Sequence, residues 1–178
     1  MNVQLARLAR PVSDRDHTIG PATAAVTLVE YGDYECPFCG MAHPTVTAIL
    51  HRMKGQIRFV FRHFPLSSIH PHAQLAAEAA EASGAQGKFW PMHDTLFTHQ
   101  NALDAPHLIG YASALGLDDA RVATELRDHV WTERVREDFL SGVRSGVNGT
   151  PTFFINGVRH DGSYQFESLY GALLRAMA

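Results

Sequence analysis

The sequence predicts an α/β fold with a mixed central sheet, a helical insertion, and strands drawn from both ends of the chain. Three observations carry that expectation: a strand–helix–strand pattern in the first 65 residues, some eighty residues of helical periodicity, and a hairpin signal followed by an amphipathic helix. The 178 residues are 46% hydrophobic and 19% charged, which suits one domain, 1–178, with the insertion at about 67–146. Because both ends feed one sheet, the helical stretch reads as a lid on that domain.

Residues 1–20 are polar and lack a sustained period, so an extended lead-in is expected, with a short strand near His17–Ile19. Ala25–Tyr34, "AVTLVEYGDY", is rich in Val, Leu and Tyr and reads as a buried strand. A helix follows from Cys36 to about Met53, with Met41, Val46, Ile49, Leu50 and Met53 on its apolar side, Pro44 as a kink and Gly55 as its stop. Ile57–Pro65 is a second strand in which Ile57, Phe59 and Phe61 alternate with Arg58, Val60 and Arg62. Short links make this a βαβ unit, with parallel strands and a right-handed crossover.

The insertion begins with the Ala-rich "HPHAQLAAEAAEASG", in which "HPH" marks a helix start. Phe89, Met92, His93, Leu96 and Phe97 then share one helical face, as do Leu108, Tyr111, Ala112 and Leu115. Asp118 reads as an N-cap for a helix through Val122 and Leu126, and a longer helix carries Val135, Phe139 and Val143. The chain returns to β at "TPTFFINGVRHDG", where Asn156-Gly157 between apolar runs is a strong hairpin signal. The last helix, Gln165–Met177, presents Phe166, Leu169, Tyr170, Leu173 and Leu174 at helical spacing.

Composition excludes some functions. A net charge of −3 supplies no electrostatic reason to expect nucleic acid as a partner. No apolar run approaches the roughly 18 residues of a membrane span. The first twenty residues lack the apolar core of a signal peptide, so the sequence as written reads as cytoplasmic, and as periplasmic or extracytoplasmic if a leader was removed. Two cysteines are too few for a disulfide framework and point to metal or redox chemistry.

Both cysteines lie in "ECPFCG", directly after the first buried strand. Cys36 opens the helix with Pro37 in its first turn, where a missing N–H costs nothing. Unsatisfied N–H groups and the helix dipole there favour a thiolate, so Cys36 is expected to be the exposed nucleophile. Cys39 lies one turn on, within bridging reach and more buried, and is expected to resolve the mixed disulfide. Glu30 falls among apolar strand residues, an expensive place for a carboxylate unless it accepts the Cys39 proton. Thr150-Pro151 precedes a strand where a trans proline would spoil the ladder, and a cis bond would leave the Thr150 backbone open to an extended substrate. Two other readings stay open: a redox-inactive binding module, and a Cys/His metal-binding domain using Cys36, Cys39 and His43 with His63, His70 or His72 near. A closed zinc site normally takes four ligands, and only two cysteines exist here.

"VTLVEYGDYECPFCG", "RFVFRHFPL", "HPHAQLAAEAAEASGAQGKFWPMHDTLF" and "GVNGTPTFFINGVRHDG", in that order, resemble the DsbA-like branch of the thioredoxin superfamily, a branch that includes antiporter-associated domains. The resemblance covers about 26–177. It implies a thioredoxin fold with a helical insertion, a redox role for Cys36 and Cys39, a cis Pro151 preceded by Thr150 and facing the disulfide, and a buried carboxylate at Glu30. The chain is then expected to be a thiol-disulfide oxidoreductase acting on protein or peptide thiols and disulfides, with Pro37, Phe38, Thr150 and Pro151 contacting substrate. It needs a redox-recycling partner and neither a metal nor an organic cofactor. Between the cysteines stands Pro-Phe, whereas strongly oxidising members have Pro-His. A phenyl ring offers the Cys36 thiolate no donor; a pKa rise of roughly one or two units lowers the potential by about 30–60 mV. Phe38 also offers an apolar edge to an unfolded or peptide-like substrate.

Overall fold

The computed structural model describes residues 6–178. The elements run β1 (His17–Ile19), β2 (Val26–Gly32), α1 (Pro37–Arg52), β3 (Ile57–His63), α2 (Ala73–Gly84), α3 (Phe89–Thr98), α4 (Ala105–Ala114), α5 (Asp119–Arg127), α6 (Thr132–Arg144), β4 (Thr152–Ile155), β5 (Val158–His160) and α7 (Phe166–Met177). The first five residues of the expected lead-in lie outside the described residues. The chain divides into two units, one holding the sheet and one most of the helices.

The sheet unit comprises residues up to Gly32, Met41–Arg62 and Leu140–Ala178. Its five strands are ordered β1-β3-β2-β4-β5 in a mixed sheet. β1 pairs antiparallel with β3, β2 with β4, and β4 with β5. Apolar residues on both faces bury nearly all of β2 and β3. The β4–β5 hairpin turns on Asn156 (φ 48°) and Gly157 (φ 78°), the two positive values that a tight two-residue hairpin requires. Asn156 also fastens the turn to β2: its N–H donates to the Thr27 carbonyl, and its Oδ1 accepts from the Thr27 N–H, each at 2.9 Å. α7 packs its Leu169–Leu173 face on β2 and β4.

Arg62 departs from the simple alternation of β3. It is fully buried because five N–H donors find five acceptors. Nε and one terminal nitrogen clasp Asp16 at 2.8 and 3.0 Å; the rest reach the Arg10 and Pro11 carbonyls and the Tyr31 hydroxyl. Burial alone would raise the Asp16 pKa, but hydrogen bonds from Arg62 and the Ser13 N–H, with the charges of Arg62 and Arg10, hold the carboxyl below its ordinary range. The lead-in is thereby tied to β3.

The helical unit comprises Asp33–Gly40 and His63–Phe139. α2 is its hub, in contact with α3, α4 and α5. Its alanines are almost all buried, and small side chains let neighbouring helices approach closely. Two carboxylates inside it are answered: Glu78 accepts from Gln74 and Thr132, and Glu81 pairs with His63 at 2.9 Å. Asp104 and Asp118 cap α4 and α5 by accepting the backbone N–H three residues on, as the sequence predicts for Asp118.

Candidate active site

β2 ends at Gly32, and the next four residues form a turn before α1 begins at Pro37. This turn, Asp33–Cys36, is shorter of strand than expected because Asp33 folds it over. The Cys36 N–H donates to the Asp33 carbonyl, and the Glu35 N–H donates to Asp33 Oδ1 at 2.8 Å. α1 then starts where sequence reasoning places it, with Pro44 inside the helix.

Cys36, Pro37, Phe38 and Cys39 all lie on this turn and the first helical turn. No disulfide joins the two cysteines. Cys36 differs from expectation: it is 3% exposed, against 0% for Cys39. The order of burial is as expected, but the first thiol is not open to solvent, because its turn is held against residues from three later helices and loops. Phe38 is 58% exposed and presents its ring outward. The Asp33 N–H donates to Cys39 Sγ at 3.5 Å, a contact that favours negative charge on that sulfur.

Every residue of the turn is fastened within the helical unit. Asp33 Oδ2 accepts from the Leu66 N–H at 2.9 Å and pairs with His70 Nδ1 at 2.7 Å. Tyr34, 1% exposed, sets its ring against His93 and Phe97, and its hydroxyl meets His93 Nδ1 at 2.9 Å. Glu35 takes both the His72 N–H and its ring nitrogen. Gln100 Nε2 donates to the carbonyls of Tyr34 and Cys36, each at 2.8 Å. His70 and His72, weighed above as ligands, are thus occupied with Asp33 and Glu35, and His63 with Glu81. Among the described residues neither cysteine belongs to a cluster of metal-ligating side chains.

In the sheet unit, Glu30 stands on β2 directly opposite Phe153 of β4, and Tyr31 opposite Thr152. Glu30 is 2% exposed, and among the described residues its Oε1 has no hydrogen-bond partner. Burial in apolar surroundings pushes its pKa up to about 8. The Thr150-Pro151 peptide bond, just before β4, is cis. The β2–β4 register therefore brings Glu30 and the Thr150-Pro151 segment to one end of adjacent strands.

Residues 12–174 match the family described as Thioredoxin. The chain belongs to the thioredoxin family. Among curated proteins, a Na(+)/H(+) antiporter NhaA 1 of Salinispora arenicola is 52% identical over 165 residues, covering 93% of this chain and 25% of that protein. The chain spans about a quarter of the length of the curated antiporters first matched. Among solved structures, oxidised BdbD of Bacillus subtilis superposes with a TM-score of 0.87 at 21% identity, covering 97% of this chain and 98% of that one. The alpha-DsbA1 of Wolbachia pipientis gives 0.81 at 20% identity, covering 96% and 94%. The thioredoxin fold and its DsbA-type likeness follow. No helix among the described residues is long and apolar enough to cross a membrane.

Within this thioredoxin chain, sequence reasoning missed the roles of Asp33 and Gln100; it weighed His70 and His72 as metal ligands and placed His93 only on a helical face, whereas the structure ties them to Asp33, Glu35 and Tyr34. "HPH" carried a faint signal, since two histidines so close to a helix start need partners. Gln100 carried none.

Proposed function

We propose that the chain is a thiol-disulfide oxidoreductase working through Cys36 and Cys39. The observation that carries this reading is the Cys-x-x-Cys pair on the turn and first helical turn of α1, with a backbone N–H directed at the second sulfur. The Cys36 thiolate, favoured by the start of a helix of 16 residues, attacks one sulfur of a substrate disulfide. A mixed disulfide forms and one substrate thiolate leaves. Cys39 then loses its proton to Glu30 and attacks Cys36 Sγ. The second substrate thiolate leaves, so the substrate gains two electrons and the cysteines become a disulfide. Read in reverse, the same steps oxidise a substrate dithiol.

Glu30 suits the proton-accepting role because its buried carboxyl, with a pKa about 8, exchanges a proton near neutral pH. Thr150 and Pro151 offer backbone to an extended substrate, while Pro37 and the exposed Phe38 supply apolar contact. The substrates are protein or peptide thiols and disulfides, and a separate redox partner resets the pair. The reaction requires neither a metal nor an organic cofactor.

Insulin-disulfide reduction and dithiol-peptide oxidation test this directly. Cys36→Ser should abolish both, and Cys39→Ser should accumulate a mixed disulfide at Cys36 visible by mass spectrometry. Turnover surviving in Cys36→Ser would overturn the assignment. The potential measured against glutathione fixes the direction: a value near or below the cytosolic poise makes the protein a reductase, a much higher one an oxidase.

A further inference from the structure

Gly40 follows Cys39 inside α1, a position where glycine is less favourable than alanine. Its φ is not among the positive values, so the backbone would accept alanine. What excludes a side chain is Gln100. A Cβ on Gly40 would overlap the Gln100 Oε1 and come within 2.7 Å of its Cδ. Gln100 in turn spends both Nε2 hydrogens on the carbonyls of Tyr34 and Cys36. The Cys36 carbonyl already accepts the Gly40 N–H at 3.1 Å, so one acceptor joins helix start, amide and glycine.

We propose that Gln100 is a positioning residue for the dithiol, fixing the backbone of Tyr34–Cys36 against α1, and that Gly40 is glycine in order to admit it. This rests on the oxidoreductase reading. In this scheme Gln100 acts through the peptide groups that flank Cys36. Its amide hydrogens offset the partial negative charge of two carbonyls near the thiolate and hold the turn from which Cys36 attacks. Alanine at Gly40 would push the amide away and undo both effects, although it removes no hydrogen bond of its own.

The test is a double-mutant cycle read by two assays. Gln100→Met keeps length but loses the donors; Gly40→Ala displaces the amide; Gln100→Ala makes room for the added Cβ. Each should slow insulin-disulfide turnover about tenfold in kcat, equivalent to about 1.4 kcal/mol, with KM changed less than twofold. Each should also slow iodoacetamide alkylation of Cys36 at pH 7 about fivefold to tenfold and move its pH midpoint upward. Adding Gly40→Ala to Gln100→Ala should cost less than a further twofold, because the residue that it displaces is already gone.

Urea unfolding of each variant confirms that the fold persists, and Gly40→Ala, which favours helix, guards against loss of structure as the cause. Unchanged alkylation in both Gln100→Met and Gly40→Ala, or losses that multiply independently in the double variant, would overturn the proposal. Alkylation reads the surroundings of Cys36 whether or not the protein turns over a disulfide. An inactive parent protein with altered alkylation in the variants would therefore sink the oxidoreductase reading and leave the role of Gln100 intact.

Discussion

Glu30 makes stability depend on pH in a way that can be worked out and measured. Its carboxyl titrates near 4.5 when exposed in the unfolded chain and near about 8 when folded, burial being the cause. The folded state thus favours the protonated form. Below pH 4.5 both states are protonated and the group costs nothing. As pH rises between the two values, the unfolded chain releases a proton that the folded one keeps, and stability falls. At 1.36 kcal/mol per pH unit the loss is about 3 kcal/mol at pH 7 and levels off at about 5 kcal/mol above pH 8. Glu30→Gln keeps the shape and removes the titration. Reduced wild-type and variant protein should be unfolded in urea at pH 5, 6, 7 and 8. The variant should gain on the wild type by about 3–4 kcal/mol from pH 5 to pH 8, while losing Cys39-dependent turnover by tenfold or more. A stability difference that stays flat across that range would refute the reasoning, because it would mean that Glu30 folds in as an ordinary carboxylate.

Four further outcomes follow from other parts of the structure. Phe38→His, which restores a donor beside Cys36, should raise the reduction potential by about 30–60 mV against glutathione; an unchanged or lower value would remove Phe38 from the account of potential. Arg62→Met leaves Asp16 buried with its principal cation gone and should destabilise the protein by about 3–5 kcal/mol in urea. The Asp16 pKa is depressed on folding, so its own contribution is present above pH 3.8 and fades as pH falls through the lower folded value; Asp16→Asn should remove that acid-limb dependence from thermal melts at pH 2–5. His70→Ala deprives Asp33 of a 2.7 Å partner and should cost about 1–3 kcal/mol, with circular dichroism showing the secondary structure retained.

What could be read in advance was what is local. Helical spacing placed Phe89, Met92, His93, Leu96 and Phe97 on one buried face, a short polar side chain at Asp118 marked a cap, and Asn156-Gly157 marked a hairpin, because each signal lies within a few residues of its consequence. The positions of Cys36, Cys39 and Glu30 were legible for the same reason: a Cys-x-x-Cys pair at a helix start and a carboxylate among apolar residues are anomalies visible without partners. Arg62 was not. Its alternation with Phe61 looks like an ordinary change of face, and only distant partners, Asp16 46 residues earlier together with the Arg10 and Pro11 carbonyls and the Tyr31 hydroxyl, explain its burial. Gln100 is 64 residues from the carbonyl that it holds, and the expectation that Cys36 would be exposed failed because that long-range layer was missing.

The polar groups of Asp33–Cys36 explain why that layer exists. A four-residue turn buried ahead of a helix carries carbonyls, carboxylates and a phenol that cannot stay unanswered. Its partners come from His70, His72, His93 and Gln100, so the helical insertion does more than cover the turn: it completes its hydrogen bonding. The backbone that flanks Cys36 is thus set by residues that no inspection of "CPFC" alone would select.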